Sequence, residues 1–135
     1  KIITYGANKI KKEHVIFTHC HSSTVVAVLK RAHKKSKKFY VHNTEARPLY
    51  QGRKTAKELA EAGVEVKHYT DSAALFALKK ADICFFGADA IQSRSWCTSR
   101  HFSCVSNRMS YINMASEVKF YEKYTNYTSK YSLRK

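Results

Sequence analysis

The sequence has little proline, little glycine and few acidic residues. Its 135 residues include 1 proline, 4 glycines and 10 acidic side chains, whereas 44% of residues are hydrophobic. Such a chain is typical of one compact domain with a real core. It has no apolar run near the roughly 18–20 residues of a membrane-spanning helix, and no signal peptide opens it. We therefore expect a soluble, cytoplasmic protein without a membrane partner.

Cysteines are also few, and their spacing matches no disulfide framework. Cys84 lies in an apolar run, where it would pack as a small hydrophobic side chain. The segment His19-Cys20-His21, with Cys97 and Cys104 downstream, is an alternative zinc pattern. It lacks the spacing of about two to four residues between the cysteines of structural zinc sites. We therefore expect reduced thiols and no metal.

The shortage of acidic residues leaves a net charge of +15, and a dense basic segment runs from Lys30 to Lys38. Such a segment attracts polyanions, although lysines at a helix C-terminus also complement the helix dipole. No zinc-finger, recognition-helix or single-strand-binding signature accompanies it, and aromatic residues are not interleaved with it. We therefore do not expect specific nucleic-acid recognition, whereas a phosphorylated substrate would suit this charge.

Apolar patterning predicts strands and helices in strict alternation. The predicted strands are His14–Thr18, Phe39–His42, Val64–Tyr69 and Ile83–Phe86. The predicted helices are the apolar face Val25–Ala32, a helix that begins with a capping box at Thr55–Glu58 and ends at Gly63, and Ser72–Lys80 with Asp71 as N-cap. This order predicts an α/β fold of the doubly wound, Rossmann-like class, with a mostly parallel sheet.

Polar side chains follow every predicted strand. In sheets of this class, ligands bind beyond the carboxyl ends of the strands. After the first strand, Cys20 precedes hydroxyl side chains at the start of a helix, an arrangement that activates a thiol and binds phosphate. After the fourth strand, Asp89 would complete an acid/base pair. After the second, Arg47 would grip phosphate or pair with Glu45.

Each of these residues has a plainer interpretation. Cys20 would simply pack, Asp89 would cap a turn, and Arg47 with Glu45 would form a structural ion pair that holds the loop. Their convergence on one edge of one sheet favours a functional site. From the residues alone, that site suits a phosphosugar or a nucleotide.

Five motifs carry a resemblance to a known family. They are Thr18–Ser22, Thr44–Pro48 with Gln51-Gly52, Thr55–Leu59, Asp71–Ala73 and Gly87–Ile91. Their order and spacing resemble the family that joins ribose-1,5-bisphosphate isomerases, methylthioribose-1-phosphate isomerases and the alpha, beta and delta subunits of initiation factor 2B. Cys20-His21-Ser22 is most similar to the bisphosphate isomerases, because regulatory subunits usually lack the Cys and the methylthioribose enzymes follow it with Asn.

The resemblance implies an aldose-ketose isomerase that converts ribose 1,5-bisphosphate to ribulose 1,5-bisphosphate in AMP salvage. Cys20 would accept a proton and Asp89 would return one. The substrate contacts implied are Ser22, Ser23, Thr24, Arg47, Gln51 and Lys119. No cofactor is implied; AMP is a candidate activator, and the intact protein would be a homo-oligomer. A non-catalytic regulatory subunit that binds a sugar phosphate or nucleotide, and a methylthioribose-1-phosphate isomerase, remain alternatives.

The pattern breaks after Ile91. Residues 92–111 lack the family's Asn-Lys-Ile-Gly-Thr phosphate segment, and the resemblance resumes at Met114. Two compensating reading-frame shifts would produce such a segment. We expect one incomplete Rossmann-like domain over residues 1–120 and a poorly ordered tail over 121–135. Since the chain begins at Lys1 without Met, we also expect a fragment that lacks the family's N-terminal helical domain and whose own activity is open.

Overall fold

The computed structural model describes residues 1–87 and the backbone of residues 90–91, 96–97 and 110–114. The helices are α1 (Ile2–Lys9), α2 (Ser23–Lys34), α3 (Gln51–Glu61) and α4 (Ala74–Lys79), the last preceded by a 3₁₀ turn (Asp71–Ala73). The strands are β1 (Val15–His19), β2 (Tyr40–Thr44), β3 (Glu65–Tyr69), β4 (Ile83–Gly87), β5 (Ala90–Ile91), β6 (Trp96–Cys97) and β7 (Ser110–Met114). None of the helices in this described part is long and apolar enough to cross a membrane.

Five of the strands form one parallel sheet in the order β3-β2-β1-β4-β7. Phe17 in β1 pairs with His42 in β2 on one side and with Cys84 in β4 on the other. β5 and β6 form a separate antiparallel pair. The strand order reverses between β1 and β4, so these two carboxyl ends flank the place where ligands bind in doubly wound sheets. The α/β prediction is confirmed.

Both faces of the sheet are covered, which explains why its central strands are continuously apolar. Neighbouring residues on a strand point to opposite faces. Ile16 packs into the cluster built with α1, α2 and α3, whereas Phe17 packs with α4 residues such as Leu78. In the same way, Phe85 joins the first cluster and Phe86 the second. The result is a three-layer domain whose loops meet at the carboxyl edge of the sheet.

The sequence did not predict helix α1. It is a short helix whose small residue Ala7 is fully buried, and it packs in the first cluster. Its C-terminal end is held by a lysine of the basic segment, because Lys37 Nζ donates to the carbonyl oxygens of Ala7 at 2.9 Å and Ile10 at 2.6 Å. Lys35 Nζ likewise donates to Asn8. Part of the basic segment therefore donates hydrogen bonds to carbonyl groups that the end of a helix leaves without a partner.

The predicted starts of α3 and of the helix after β3 were wrong, whereas the predicted end of α3 was right. α3 begins at Gln51 and not at Thr55, which lies in its second turn with 1% exposure and bonds to another loop. Asp71 does not cap a helix; its carboxylate accepts from the backbone N–H groups of Ala46 and Arg47 at 2.9 and 2.7 Å. Gly63 follows α3 with φ of 82°, as expected for a helix-ending glycine.

Candidate functional site

Cys20 directly follows the carboxyl end of β1 and lies two residues before Ser22, the N-cap of α2. Its backbone has a positive φ of 66°, a conformation rarely adopted by residues with a side chain. The thiol is partly buried, and Sγ donates to Oε1 of Gln51 at 2.9 Å. Gln51, predicted as a substrate contact, is thus the direct partner of the predicted catalytic thiol. α3 supplies this contact because it begins with Gln51, and its next residue, Gly52, lies against the Thr44 carbonyl at the end of β2.

Ser22 is the N-cap of α2, and its Oγ accepts from the N–H of Val25 at 3.4 Å. Ser23 and Thr24 form the first turn of the helix. Because the first N–H groups of a helix have no intrahelical partner, this turn presents backbone donors and two hydroxyls to an anion. The structure brings these three predicted phosphate contacts together beside Cys20. Whether they hold phosphate stays a prediction.

Gly87, at the end of β4, lies close to this turn of α2. A Cβ atom at position 87 would lie 2.7 Å from both Cβ and Oγ of Ser22, so a larger residue would displace the serine. The carboxyl ends of β1 and β4 therefore meet closely at the reversal of strand order. Asp89 follows Gly87 by two residues but lies outside the described residues. Its pairing with Cys20 stays a prediction, as does the substrate contact of Lys119, which is also outside them.

Arg47 lies at the neighbouring loop, after β2, and its peptide bond to Pro48 is cis. Its Nε donates to Oε1 of Glu45 at 2.6 Å, and Arg53 on α3 donates to the other carboxylate oxygen at 3.3 Å. The hydrogen bond from Arg47 lowers the pKa of Glu45 below its ordinary value; burial opposes this, and Arg53 adds to it. The same bond raises the pKa of Arg47. Of the two roles predicted for Arg47, the structure contains the ion pair with Glu45.

Tyr50 lies between these arginines. The Arg53 guanidinium carbon is 4.1 Å from the centre of its ring and that of Arg47 is 5.7 Å away, distances at which cations and aromatic faces attract. Tyr50 also has a positive φ of 52° and precedes α3. The Glu45–Tyr50 loop is thus fixed by charge and by ring contacts at the same time.

Asp71 fixes the same loop from the end of β3. Burial acts to raise the pKa of Asp71, but the N–H groups of Arg47 and Ala46 outweigh it, with help from the charges of His19 and Arg47, and the net pKa is lowered. His19 Nδ1 is 2.5 Å from Thr44 Oγ1 and 3.9 Å from the Asp71 carboxylate. The sequence placed Asp71 at this edge but did not predict this role. Its position after a strand was the available signal.

The two histidines that flank Cys20 belong to the alternative zinc pattern, and in the structure each contacts a threonine through Nδ1. His19 contacts Thr44, whereas His21 Nδ1 contacts Thr55 Oγ1 at 3.0 Å. Within the described ranges, no group of three His, Cys, Asp or Glu side chains is placed to hold a metal ion. Cys97 and Cys104 have no described side chain. The described carboxyl edge of the sheet carries a thiol, hydroxyls, helix N–H groups and an arginine that is paired with Glu45. Together these groups suit a phosphorylated polar ligand.

Known proteins of one family match the sequence. Residues 1–101 match the model described as the Initiation factor 2 subunit family. Ribose 1,5-bisphosphate isomerase of Thermococcus kodakarensis is 44% identical over 91 residues, which are 67% of this chain and 28% of that protein. A protein of Pyrococcus furiosus named putative translation initiation factor eIF-2B subunit 2-like is 31% identical over 131 residues, which are 93% of this chain and 48% of that protein.

Solved structures agree on the fold. The crystal structure of translation initiation factor eIF-2B from Pyrococcus horikoshii OT3 superposes with a TM-score of 0.66 at 37% identity, over 67% of this chain and 33% of that one. A chain of the tetrameric eIF2B β2δ2 complex of C. thermophilum superposes with a TM-score of 0.61 at 27% identity. The superposition covers 67% of this chain and 29% of that one. The chain thus spans less than half the length of each of these relatives.

Proposed function

Because the chain belongs to the Initiation factor 2 subunit family, we propose that the full-length protein is a sugar-phosphate isomerase that converts ribose 1,5-bisphosphate to ribulose 1,5-bisphosphate. The observation that carries the proposal is the Cys20 thiol, held at the end of β1 by Gln51 and beside the first turn of α2. Relatives that carry this enzyme's name are 42% and 44% identical to the chain.

In this reaction the sugar ring opens and a ketone forms at C2. The hydrogen on C2 and that of its hydroxyl leave, while C1 and the ring oxygen each gain a hydrogen, so no electrons enter or leave. In our proposal Cys20 accepts the C2 proton as the bond between C1 and the ring oxygen breaks, and Asp89 returns a proton to that oxygen. The resulting enol becomes the ketone when its C2 hydroxyl loses a proton and C1 gains one. The hydroxyls and N–H groups of Ser22, Ser23 and Thr24 bind one phosphate, which helix N-termini favour.

Three further residues have proposed roles. Gln51 orients the thiol and reaches the sugar, Lys119 contacts the substrate, and Arg47 presents the exposed side of its guanidinium to the second phosphate. With a relative side-chain exposure of 63%, Arg47 can keep its bond to Glu45 while it does so. Proton transfer between neighbouring carbons requires a positioned acid and base and no organic cofactor. We further propose that the intact protein is a cytoplasmic homo-oligomer activated by AMP.

The test is incubation of the purified full-length protein with ribose 1,5-bisphosphate, with the product followed by NMR. We expect ribulose 1,5-bisphosphate from the wild type and a loss of about 10²-fold or more in kcat for Cys20→Ser and Asp89→Asn. Cys84→Ala is the matched control, because Cys84 is buried in the cluster with α4. Full activity of Cys20→Ser would refute the proposed role of the thiol.

A regulatory or binding subunit is the second proposal, and it is favoured by the match to an eIF-2B subunit 2-like protein over 93% of the chain. Thermal unfolding with ribose 1,5-bisphosphate, AMP or methylthioribose 1-phosphate separates the proposals. Stabilisation by a ligand without turnover would support a binding subunit. Turnover of methylthioribose 1-phosphate alone would assign the site to that isomerase.

A further inference from the structure

The backbone of Cys20 is held in a conformation that it would not adopt by itself. Its φ of 66° is left-handed, which is unfavourable for a residue with a Cβ atom. Such a conformation persists only where surrounding contacts fix it. Two hydrogen bonds join Cys20 to helix α3, whose residues Gln51 and Thr55 lie 31 and 35 residues further along the chain.

Two residues of α3 reach Cys20 from the same face of the helix, since residues four apart are neighbours on a helix surface. Gln51 accepts the hydrogen of the thiol at 2.9 Å. Thr55, which is only 1% exposed, donates its hydroxyl hydrogen to the Cys20 carbonyl oxygen, also at 2.9 Å. The side chain and the main chain of Cys20 are thus bound separately.

The Thr55 bond determines the direction of a longer chain of hydrogen bonds. A hydroxyl has one hydrogen, and Thr55 gives it to Cys20. At 3.0 Å, His21 Nδ1 must therefore carry a hydrogen and donate to Thr55 Oγ1. This assigns the Nδ1–H form of the ring when it is neutral. On its other side, His21 Nε2 faces a carboxylate oxygen of Glu58 at 3.9 Å, and Glu58 faces Lys30 at the same distance.

Gly52 lets α3 come close enough for these contacts. A Cβ atom at this position would overlap the carbonyl oxygen of Thr44, at the end of β2. Asn43 Nδ2 donates to the Gly52 carbonyl at 2.8 Å, and Gly52 N–H donates to the Glu45 carbonyl at 3.1 Å. The first turn of α3 is therefore fixed to the edge of the sheet, and Thr55 follows one turn later.

We propose that Thr55, supported by His21, is a positioning residue that holds the Cys20 backbone left-handed and so directs the thiol to Gln51 at the rim. The proposal rests on the proposed function in that Cys20 is taken as the catalytic residue. Thr55 acts through Cys20 and not on the substrate, because its hydroxyl is buried and both of its hydrogen bonds lie within the protein.

Three variants of the full-length protein test this role. Thr55→Val keeps the shape of the side chain and removes the hydroxyl. Thr55→Ser keeps the hydroxyl, and Thr55→Ala removes both the hydroxyl and the β-branch. We expect Thr55→Val and Thr55→Ala to lower kcat about tenfold, the equivalent of one hydrogen bond. KM should change by no more than about threefold, because Thr55 does not contact the substrate. Thr55→Ser should keep most of the wild-type activity.

A second measurement does not depend on activity. With 13C-labelled cysteine, the Cα and Cβ chemical shifts of Cys20 report its backbone conformation. We expect them to move in Thr55→Val and Thr55→Ala and to stay in Thr55→Ser, while the signal of Cys84 is unchanged in all three. If Thr55→Val does not fold, Thr55→Ala answers the same question.

Unchanged Cys20 shifts in both variants that lack the hydroxyl would overturn the proposal, whatever the activity. So would a raised KM with unchanged kcat. If the wild type has no isomerase activity but the Cys20 shifts move as expected, the proposed function fails while the positioning role of Thr55 stands. The two failures are therefore distinguishable.

Discussion

Gly52→Ala tests the close approach of α3 to the sheet, on which the geometry at Cys20 depends. The added methyl group would overlap the Thr44 carbonyl oxygen. Thr44 is fully buried and pairs with both His19 and Tyr69 in the parallel sheet, so its backbone has little room to move. Relief must come from α3, which would shift away and weaken the bond from Asn43 to the Gly52 carbonyl.

The magnitude follows from three effects. Overpacking costs about 1–3 kcal/mol, and a rigid backbone partner places this site at the upper end. A lost internal hydrogen bond adds about 1 kcal/mol. Alanine in place of glycine within a helix returns up to about 1 kcal/mol. We therefore expect a loss of about 3 kcal/mol in the free energy of unfolding. For a domain of about 150–250 residues this corresponds to a fall of about 6–12 °C in Tm.

The assay is thermal unfolding of the full-length protein, with Gly63→Ala as the matched control. Unlike Gly52, Gly63 has a positive φ, of 82°, and a Cβ atom there would meet the ring of His33 at 3.2 Å, which can rotate away. We expect Gly63→Ala to cost about 1–2 kcal/mol, the usual penalty of a left-handed residue. A Gly52→Ala protein as stable as wild type, or more stable than Gly63→Ala, would refute the close approach of α3.

Two further predictions concern packing and pH. Leu59→Ala should destabilise by about 2–5 kcal/mol because the side chain is fully buried, whereas Leu75→Ala, at 62% exposure, should change stability by about 0.5 kcal/mol or less; similar Tm values for the two would contradict the core described above. The pKa of Glu45 is lower in the folded protein than its ordinary value of 4.5, so its stabilising contribution is complete above that pH and is lost as pH falls further. Glu45→Gln should therefore lose less stability than wild type between about pH 6 and pH 3, measured by unfolding at a series of pH values. An acid dependence in Glu45→Gln equal to that of wild type would exclude this ion pair as its source.

The sequence by itself determined the elements whose signals are local. The strict alternation of apolar strands and amphipathic helices predicted a mostly parallel sheet, which the structure contains. Gly63 predicted the end of α3, because glycine readily adopts the left-handed backbone that often follows a helix, and its φ is 82°. The motifs from Val15 to Ile91 also identified the family, which the match over residues 1–101 confirmed.

The sequence also placed the polar clusters at the correct edge. Parallel strands end at one edge of the sheet, so Cys20 and Arg47 had to lie near one another once their strands were assigned. For Arg47, the predicted alternative of an ion pair with Glu45 is present at 2.6 Å. Asp89 and Lys119 lie outside the described residues, as does the tail 121–135, so what the sequence indicates for them stays a prediction. Within the segment 92–111 only the backbone of residues 96–97 and 110–111 is described, and the hypothesis of two reading-frame shifts also stays a prediction.

Only the tertiary structure decided which partner each polar side chain bonds to. Thr55 and Asp71 both have residue types that cap helices, and the sequence assigned them that local role. In the fold, each meets a distant group instead: Thr55 the carbonyl of Cys20, and Asp71 the N–H groups of Ala46 and Arg47. Short polar side chains can satisfy either a local or a distant backbone group. The choice depends on the approach of segments 24 to 35 residues apart, which no local pattern encodes.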